Sequence, residues 1–297
     1  MNKQTDQHRF DPEILRQLGR IDLVARTIAE GAQWGQNRSR RHGFSTEFSE
    51  FRPYAVGDDI RFVDWHVYAR TDRMYVKCFE AETCLDVCLL LDATKSMAWQ
   101  WRDTITKLEY GTNLLAALAC LHMKQHDPVS LLVYDARDAH YLPPRCRRPH
   151  LDEMFAVLAS LQPGRADALL YLINELGRRR RHRGRVIICS DLMENERELV
   201  TALTRLASTG DDCILIHILD RAEIELPFGG ATHLQDSETG ALLPVNIPTA
   251  RAHHAERVRQ FREKWQRHCA GCGIQYVPVS TDLNYVEVIR IMFDDRS

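Results

Sequence analysis

Five short runs of Val, Ile and Leu constrain this chain more than any other feature: LDVCLLL (85–91), VSLLVY (129–134), RVIICS (185–190), CILIHIL (213–219) and IQYVPV (274–279). A strand with one wet face alternates apolar and polar side chains, whereas a nearly continuous apolar run calls for cover on both faces. The stretches between the runs, about 104–125, 150–161, 167–181, 195–208, 250–270 and 283–293, read as helical. Strands that alternate with helices predict an α/β fold, a doubly wound and mostly parallel sheet covered on both sides.

With 297 residues, 44% of them hydrophobic, the chain can bury one large core and a smaller second one. Ahead of the first run, residues 11–34 place Ile14, Leu18, Ile21, Val24, Ala25 and Ile28 near helical spacing. A basic link, NRSRRHG, leads to residues 43–85, where aromatics, Gly57-Asp58-Asp59 and the alternating MYVKCF suggest short strands and turns. The expected division is therefore an N-terminal helix with a small β-rich subdomain (1–84) and an α/β domain (85–297). Within the latter, Thr239-Gly240 between two short apolar segments predicts an inserted hairpin near 222–248.

Charge excludes some roles. The 39 basic and 41 acidic residues nearly cancel, so the chain as a whole has no electrostatic reason to seek nucleic acid or an anionic membrane. The basic run GRRRRHRGR (177–185) ends a helical stretch, where the helix dipole favours cations anyway. No apolar run nears the roughly 20 residues of a membrane span, and the polar start MNKQTDQHRF lacks a signal-peptide core. Nine scattered cysteines suit a reducing compartment, so a cytoplasmic protein is expected. Cys269 and Cys272 have redox-motif spacing but sit at a helix end, away from the helix start that would lower a thiolate pKa.

In an open parallel sheet, ligands sit outside the carboxyl ends of the strands, and Asp92 ends the first run in LLLDATKSMAW. Asp92, Thr94 and Ser96 offer three hard oxygen donors on one tight loop, a set suited to Mg²⁺ or a similar ion such as Mn²⁺. Ser190-Asp191 ends another run and brings a second carboxylate to the same rim. Lys95 supplies an alternative, an ammonium that could neutralise these acids with no metal. Trp99 and Trp101 follow the loop, as anchors for a partner or as packing against the sheet edge.

The strand-end pattern resembles the von Willebrand factor A domain and its metal-ion-dependent adhesion site, Asp-x-Ser-x-Ser joined by a threonine and an aspartate from later loops. Asp92, Thr94, Ser96 and Asp191 match four of those five places, with Thr94 where serine is usual. Ala166 stands about where the third-loop hydroxyl is expected, and Asp167 is the possible additional ligand. The resemblance implies an ion with an open coordination position that a partner's acidic side chain fills.

The segment before Asp92 narrows the resemblance. Glu47-Phe48, Arg52-Pro53-Tyr54, Gly57 through Trp65, Ala69-Arg70-Thr71 and Val76-Lys77 resemble the bacterial family named domain of unknown function fifty-eight. Its signature places Asp58, Asp59, Arg61, Asp64, Trp65 and Arg70, and the residue types suggest carboxylates clasped by guanidinium forks. The likeness implies a non-catalytic adaptor or co-chaperone for a MoxR-type AAA+ ATPase and a client protein. The rival class is a Mg²⁺-dependent phosphoester hydrolase using the strand-end aspartate. Its usual second acid, two residues after the first, is replaced here by Thr94.

Overall fold

A computed structural model describes residues 12–36, 48–55, 63–79, 85–102, 104–164, 167–179, 183–235 and 240–294. Its contacts divide the chain into two compact units, Ser39–Cys84 and Met1–Arg38 with Leu85–Ser297. Helix α1 (Pro12–Gln36) opens the chain. Grouping it with residues 39–84, as the sequence suggested, needs correction. Ile21, Ala25, Ile28, Ala29 and Ala32 are buried in the core of the larger unit, and α1 packs against three of its helices. An apolar helical stripe needs a broad surface to cover it, which a two-stranded ribbon does not offer.

The smaller unit pairs β1 (Phe48–Pro53) with β2 (Tyr75–Phe79) in antiparallel register. Between them lies a short helix, α2 (Trp65–Thr71), which the sequence reading had not distinguished from strands and turns. Its start was legible in the signature: Asp64 is the N-cap, its Oδ1 accepting from the N–H groups of His66 and Val67. Trp65 and Arg70 are exposed on α2. Asp58, Asp59 and Arg61 lie outside the described residues.

The larger unit is built on a six-stranded sheet: β3 (Asp86–Asp92), β4 (Val129–Tyr134), β5 (Ala139–Arg145), β6 (Gly184–Ser190), β7 (Asp212–Leu219) and β10 (Gln275–Ser280). The order is β10-β7-β6-β3-β4-β5, with the first five strands parallel and β5 antiparallel to β4. The doubly wound α/β architecture expected from the five apolar runs is the one observed. β5 had not been foreseen, because AHYLPPR is half-exposed and carries Pro143 and Pro144, which suit only an edge.

Alternation along the strands splits the core. Val87, Leu89 and Leu91 face helices α1, α3 (Lys107–Lys124), α4 (Arg148–Ala159) and α9 (Tyr285–Asp294), while Cys88 and Leu90 face α5 (Ala168–Arg179), α6 (Glu196–Ala207) and α8 (Ile247–Cys272). A five-residue helix, α7 (Arg221–Glu225), precedes the hairpin of β8 (Ala231–Gln235) and β9 (Leu242–Asn246). Cys269 and Cys272 are free thiols at the end of α8, and burial pushes Cys269 up to about 12. A thiol so protonated is a packing residue.

Candidate functional site

Parallel strands bring their carboxyl ends to one edge, and here that edge collects acids. β3 ends in Asp92, while Asp135, Asp191 and Asp220 directly follow β4, β6 and β7, and all four are buried. Sequence reading singled out only Asp92 and Asp191, and the local bonding explains the other two as structural. Asp135 Oδ1 accepts from the N–H groups of Arg137 and Asp138 at 2.8 and 3.0 Å, closing a turn. Asp220 caps α7 through the Ala222 N–H and holds the Thr104 and Thr281 hydroxyls on Oδ2.

Asp92 is bonded differently. Its Oδ1 accepts from the Thr94 N–H at 2.9 Å, and its Oδ2 from the Ser190 hydroxyl at 2.7 Å. Ser190 Oγ itself accepts from the Leu192 N–H, so its one proton is committed to Asp92. Leu192 takes a left-handed φ of 57° to make that bond, a strained conformation for a leucine. Thr94 Oγ1 and Ser96 Oγ lie 2.9 Å apart, so the expected hydroxyl pair is assembled beside the carboxylate. Asp92 forms no ion pair with a described residue. Burial, then the nearby Asp191 charge, raises it from 3.8 to about 6.

Asp191 does have a counter-charge, though not the one expected. Lys95 is exposed, in a 3-10 turn of residues 95–98. The ammonium that reaches the rim is Lys107, at the start of α3 and wholly buried, 2.7 Å from Asp191 Oδ2 and 2.6 Å from Glu223 Oε1. Burial pulls Lys107 down, but Asp191 and Glu223 outweigh it and hold it above its ordinary value. Glu223 is still raised by its own burial, so one ammonium shared by two acids compensates them incompletely.

A further acid had been missed. Glu194 reaches from the loop after β6 to the start of α5, accepting from the Leu169 N–H at 2.6 Å and the Leu170 N–H at 3.1 Å. Burial and the Asp92 charge raise it to about 8 against the pull of those two bonds. Asp167, offered by the sequence as the extra ligand, is exposed at a left-handed φ of 58°. Ala166 lies outside the described residues. The same loop is tied to the Asp92 loop by the Gly164 N–H donating to the Ala93 carbonyl at 3.0 Å.

Trp99 and Trp101 are half-buried at this rim, and Trp101 packs edge-on against Phe228 with ring centroids 4.5 Å apart. Among the described residues no three His, Cys, Asp or Glu side chains group to hold a metal. A cation here would depend on the hydroxyls. Asp92, Thr94, Ser96 and Asp191 form an all-oxygen set with a buried carboxylate that has no ion pair to a described residue, and that chemistry fits a hard divalent ion.

A family model described as "Protein of unknown function DUF58" matches residues 50–264. The chain belongs to that family. Uncharacterized proteins of Mycobacterium tuberculosis and Mycobacterium bovis are each 26% identical over 291 residues, 96% of this chain and 91% of the relative. Among solved structures, the conserved hypothetical protein BatB from Bacteroides thetaiotaomicron is 19% identical over 71% of this chain and 98% of its own, with a TM-score of 0.44. An aerotolerance-related membrane protein from Bacteroides fragilis gives 17%, 71%, 97% and 0.47 in the same order. The SpRpn10 VWA domain gives 13%, 70%, 95% and 0.42. The larger unit is an α/β domain whose parallel strands bring the Asp-x-Thr-x-Ser loop to their carboxyl rim.

The cytoplasmic placement expected from the sequence is corrected by these matches, since one similar structure is titled a membrane protein. No helix among the described residues is long and apolar enough to cross a membrane, and that does not fix a compartment.

Proposed function

We propose that this protein is a non-catalytic, ion-dependent interaction adaptor or co-chaperone of a MoxR-type AAA+ ATPase. Asp92, Thr94 and Ser96 would hold Mg²⁺ or Mn²⁺, with Asp191 beside them. The observation that carries the reading is Asp92, a buried carboxylate with a paired hydroxyl set beside it, a second carboxylate near, and no ion pair to a described residue. Such a carboxylate is costly alone and is relieved by a cation. A bound ion would supply an oxygen-seeking point at the rim, where an acidic side chain of the ATPase or of a client completes its coordination. Trp99 and Trp101 flank that point and are candidate contacts for the partner.

Hydrolysis is the weaker alternative. Thr94 stands where a phosphoester hydrolase of this strand-end type would need its second acid, and a hydroxyl does not supply that acid. The test is a pull-down of the MoxR-type ATPase on the native protein and on Asp92→Ala, with Mg²⁺ and with EDTA. Binding lost under both changes is the expected result; binding indifferent to both refutes the ion-dependent reading. Hydrolysis of a generic phosphoester that Asp92→Ala abolishes would replace it with the enzyme.

A further inference from the structure

The link between β5 and α4 carries its charge against the helix that it starts. Arg147 is the N-cap of α4 and Arg148 its first residue, with no acid in the first turn and no side chain capping it. The dipole makes a helix start positive, so acids and small hydroxyl residues stabilise it and cations oppose it. Arg145, Arg147 and Arg148 are all exposed, and none forms an ion pair with a described residue. Their charge therefore serves neither the helix nor an internal acid. Arg178 and Arg179 differ, because they end α5, where the dipole favours cations, and they share Glu175. They still add to the same patch: the Arg179 guanidinium stands 4.7 Å over the Tyr141 ring of β5, and one carboxylate between two guanidiniums leaves an excess of positive charge. β5 is the last strand of the sheet and antiparallel, with Arg145 opposite Val129 at the start of β4, so the patch lies at the amino edge of the parallel strands. The acid rim is at the other end, about 20 Å away along the strands.

We propose that Arg145, Arg147 and Arg148, with the end of α5 beside them, form a docking surface for an acidic protein segment. The inference rests on the adaptor reading above, since an adaptor needs a second surface for its second partner, but it requires no ion. Guanidinium forks match carboxylates two oxygens at a time, and clusters of arginine are a recurrent means of holding acidic motifs. Arg145 to Arg148 span about 10 Å of extended chain, the reach of about three residues of a partner segment. A nucleic-acid duplex fits less well, because its affinity comes from about six to ten phosphate contacts along a longer stripe. The chain as a whole, with 39 basic and 41 acidic residues, adds no attraction for such a polyanion. A lipid surface fits less well too, since none of the exposed large apolar side chains among the described residues lies in the β5–α4 link to enter it.

The test uses the full chain and a fluorescein-labelled oligoglutamate peptide, with binding followed by fluorescence anisotropy. Native protein is expected to bind the peptide, and to bind it more weakly as salt rises. Arg147→Glu combined with Arg148→Glu should weaken binding about tenfold, the effect of two reversed charges on an exposed patch. Acids suit a helix start, so this variant should melt no lower than the native chain. Should it fail to fold, Arg145→Ser, which lies outside the helix, still decides with an expected loss of about threefold. EDTA and Asp92→Ala should leave the affinity unchanged. Binding abolished by either would put the peptide on the ion rim, overturning this proposal and leaving the ion-dependent reading intact. No binding by native protein, or equal binding by native protein and the arginine variants, also overturns it. A short DNA duplex or phosphatidylserine vesicles bound more tightly than the peptide, and released by the same variants, would assign the patch to nucleic acid or to membrane and overturn it as well. The outcome does not depend on the ATPase pull-down, so each reading can fail alone.

Discussion

Asp92→Asn tests the electrostatics of the rim directly. The native carboxyl is fully buried and raised from 3.8 to about 6, first by burial and then by Asp191. Because the folded pKa lies above the unfolded one, the ionised group costs stability. The cost is absent below about 3.8, grows as pH rises towards about 6, and is complete above it at about 3 kcal/mol. Asparagine removes the charge and can still accept from the Thr94 N–H. Its amide, however, faces a Ser190 hydroxyl that already accepts from Leu192, a mismatch worth about 1 kcal/mol. In urea unfolding with EDTA at pH 7.5, Asp92→Asn should therefore be more stable than the native chain by about 2 kcal/mol. The gap should close near pH 4.5 and reverse below it, where only the amide mismatch remains. Mg²⁺ at about a hundred times its Kd should then raise the native chain by about 2.7 kcal/mol and leave the variant unmoved. A variant that is about 1 kcal/mol less stable than native protein in EDTA at pH 7.5 would show that the protein's own donors satisfy Asp92, and the reasoning would fail.

Lys107→Met in EDTA should lose about 3 kcal/mol in urea unfolding, since Asp191 and Glu223 lose their shared counter-charge, and Mn²⁺ should restore more stability than it adds to the native chain. Gly164→Ala should cost about 1–3 kcal/mol and weaken Mg²⁺ binding in calorimetry, because a methyl there would lie 2.4 Å from Ala136 Cβ and push on the loop bonded to Ala93. Loading with Mg²⁺ near pH 7 should release about one proton, read from calorimetry in two buffers, as the ion neutralises Asp92 and lowers Glu194 from its raised value of about 8. Proton uptake, or none, would contradict that coupling.

Where sequence and structure part, the division follows the range of the interaction. Capping at Asp64 and the edge character of AHYLPPR are local, and both were present in the sequence although α2 and β5 went unread. The docking of α1 is not local: its stripe shows that something covers Ile21, Ala25 and Ile28, but nothing in residues 11–34 says which surface does.

The sequence by itself determined the five parallel strands, the helices between them and the two strand-end acids Asp92 and Asp191, because apolar periodicity and chain order are enough to place a carboxylate at a strand's end. Tertiary structure alone decided how those acids are compensated. Lys107 meets Asp191 across 84 residues and Glu223 across 116, an encounter set by the strand order β7-β6-β3 and by α3. Lys95, the ammonium nearest Asp92 in sequence, is exposed while Lys107 enters the core. A buried charge takes whichever partner the fold delivers within about 3 Å, and sequence distance does not measure that.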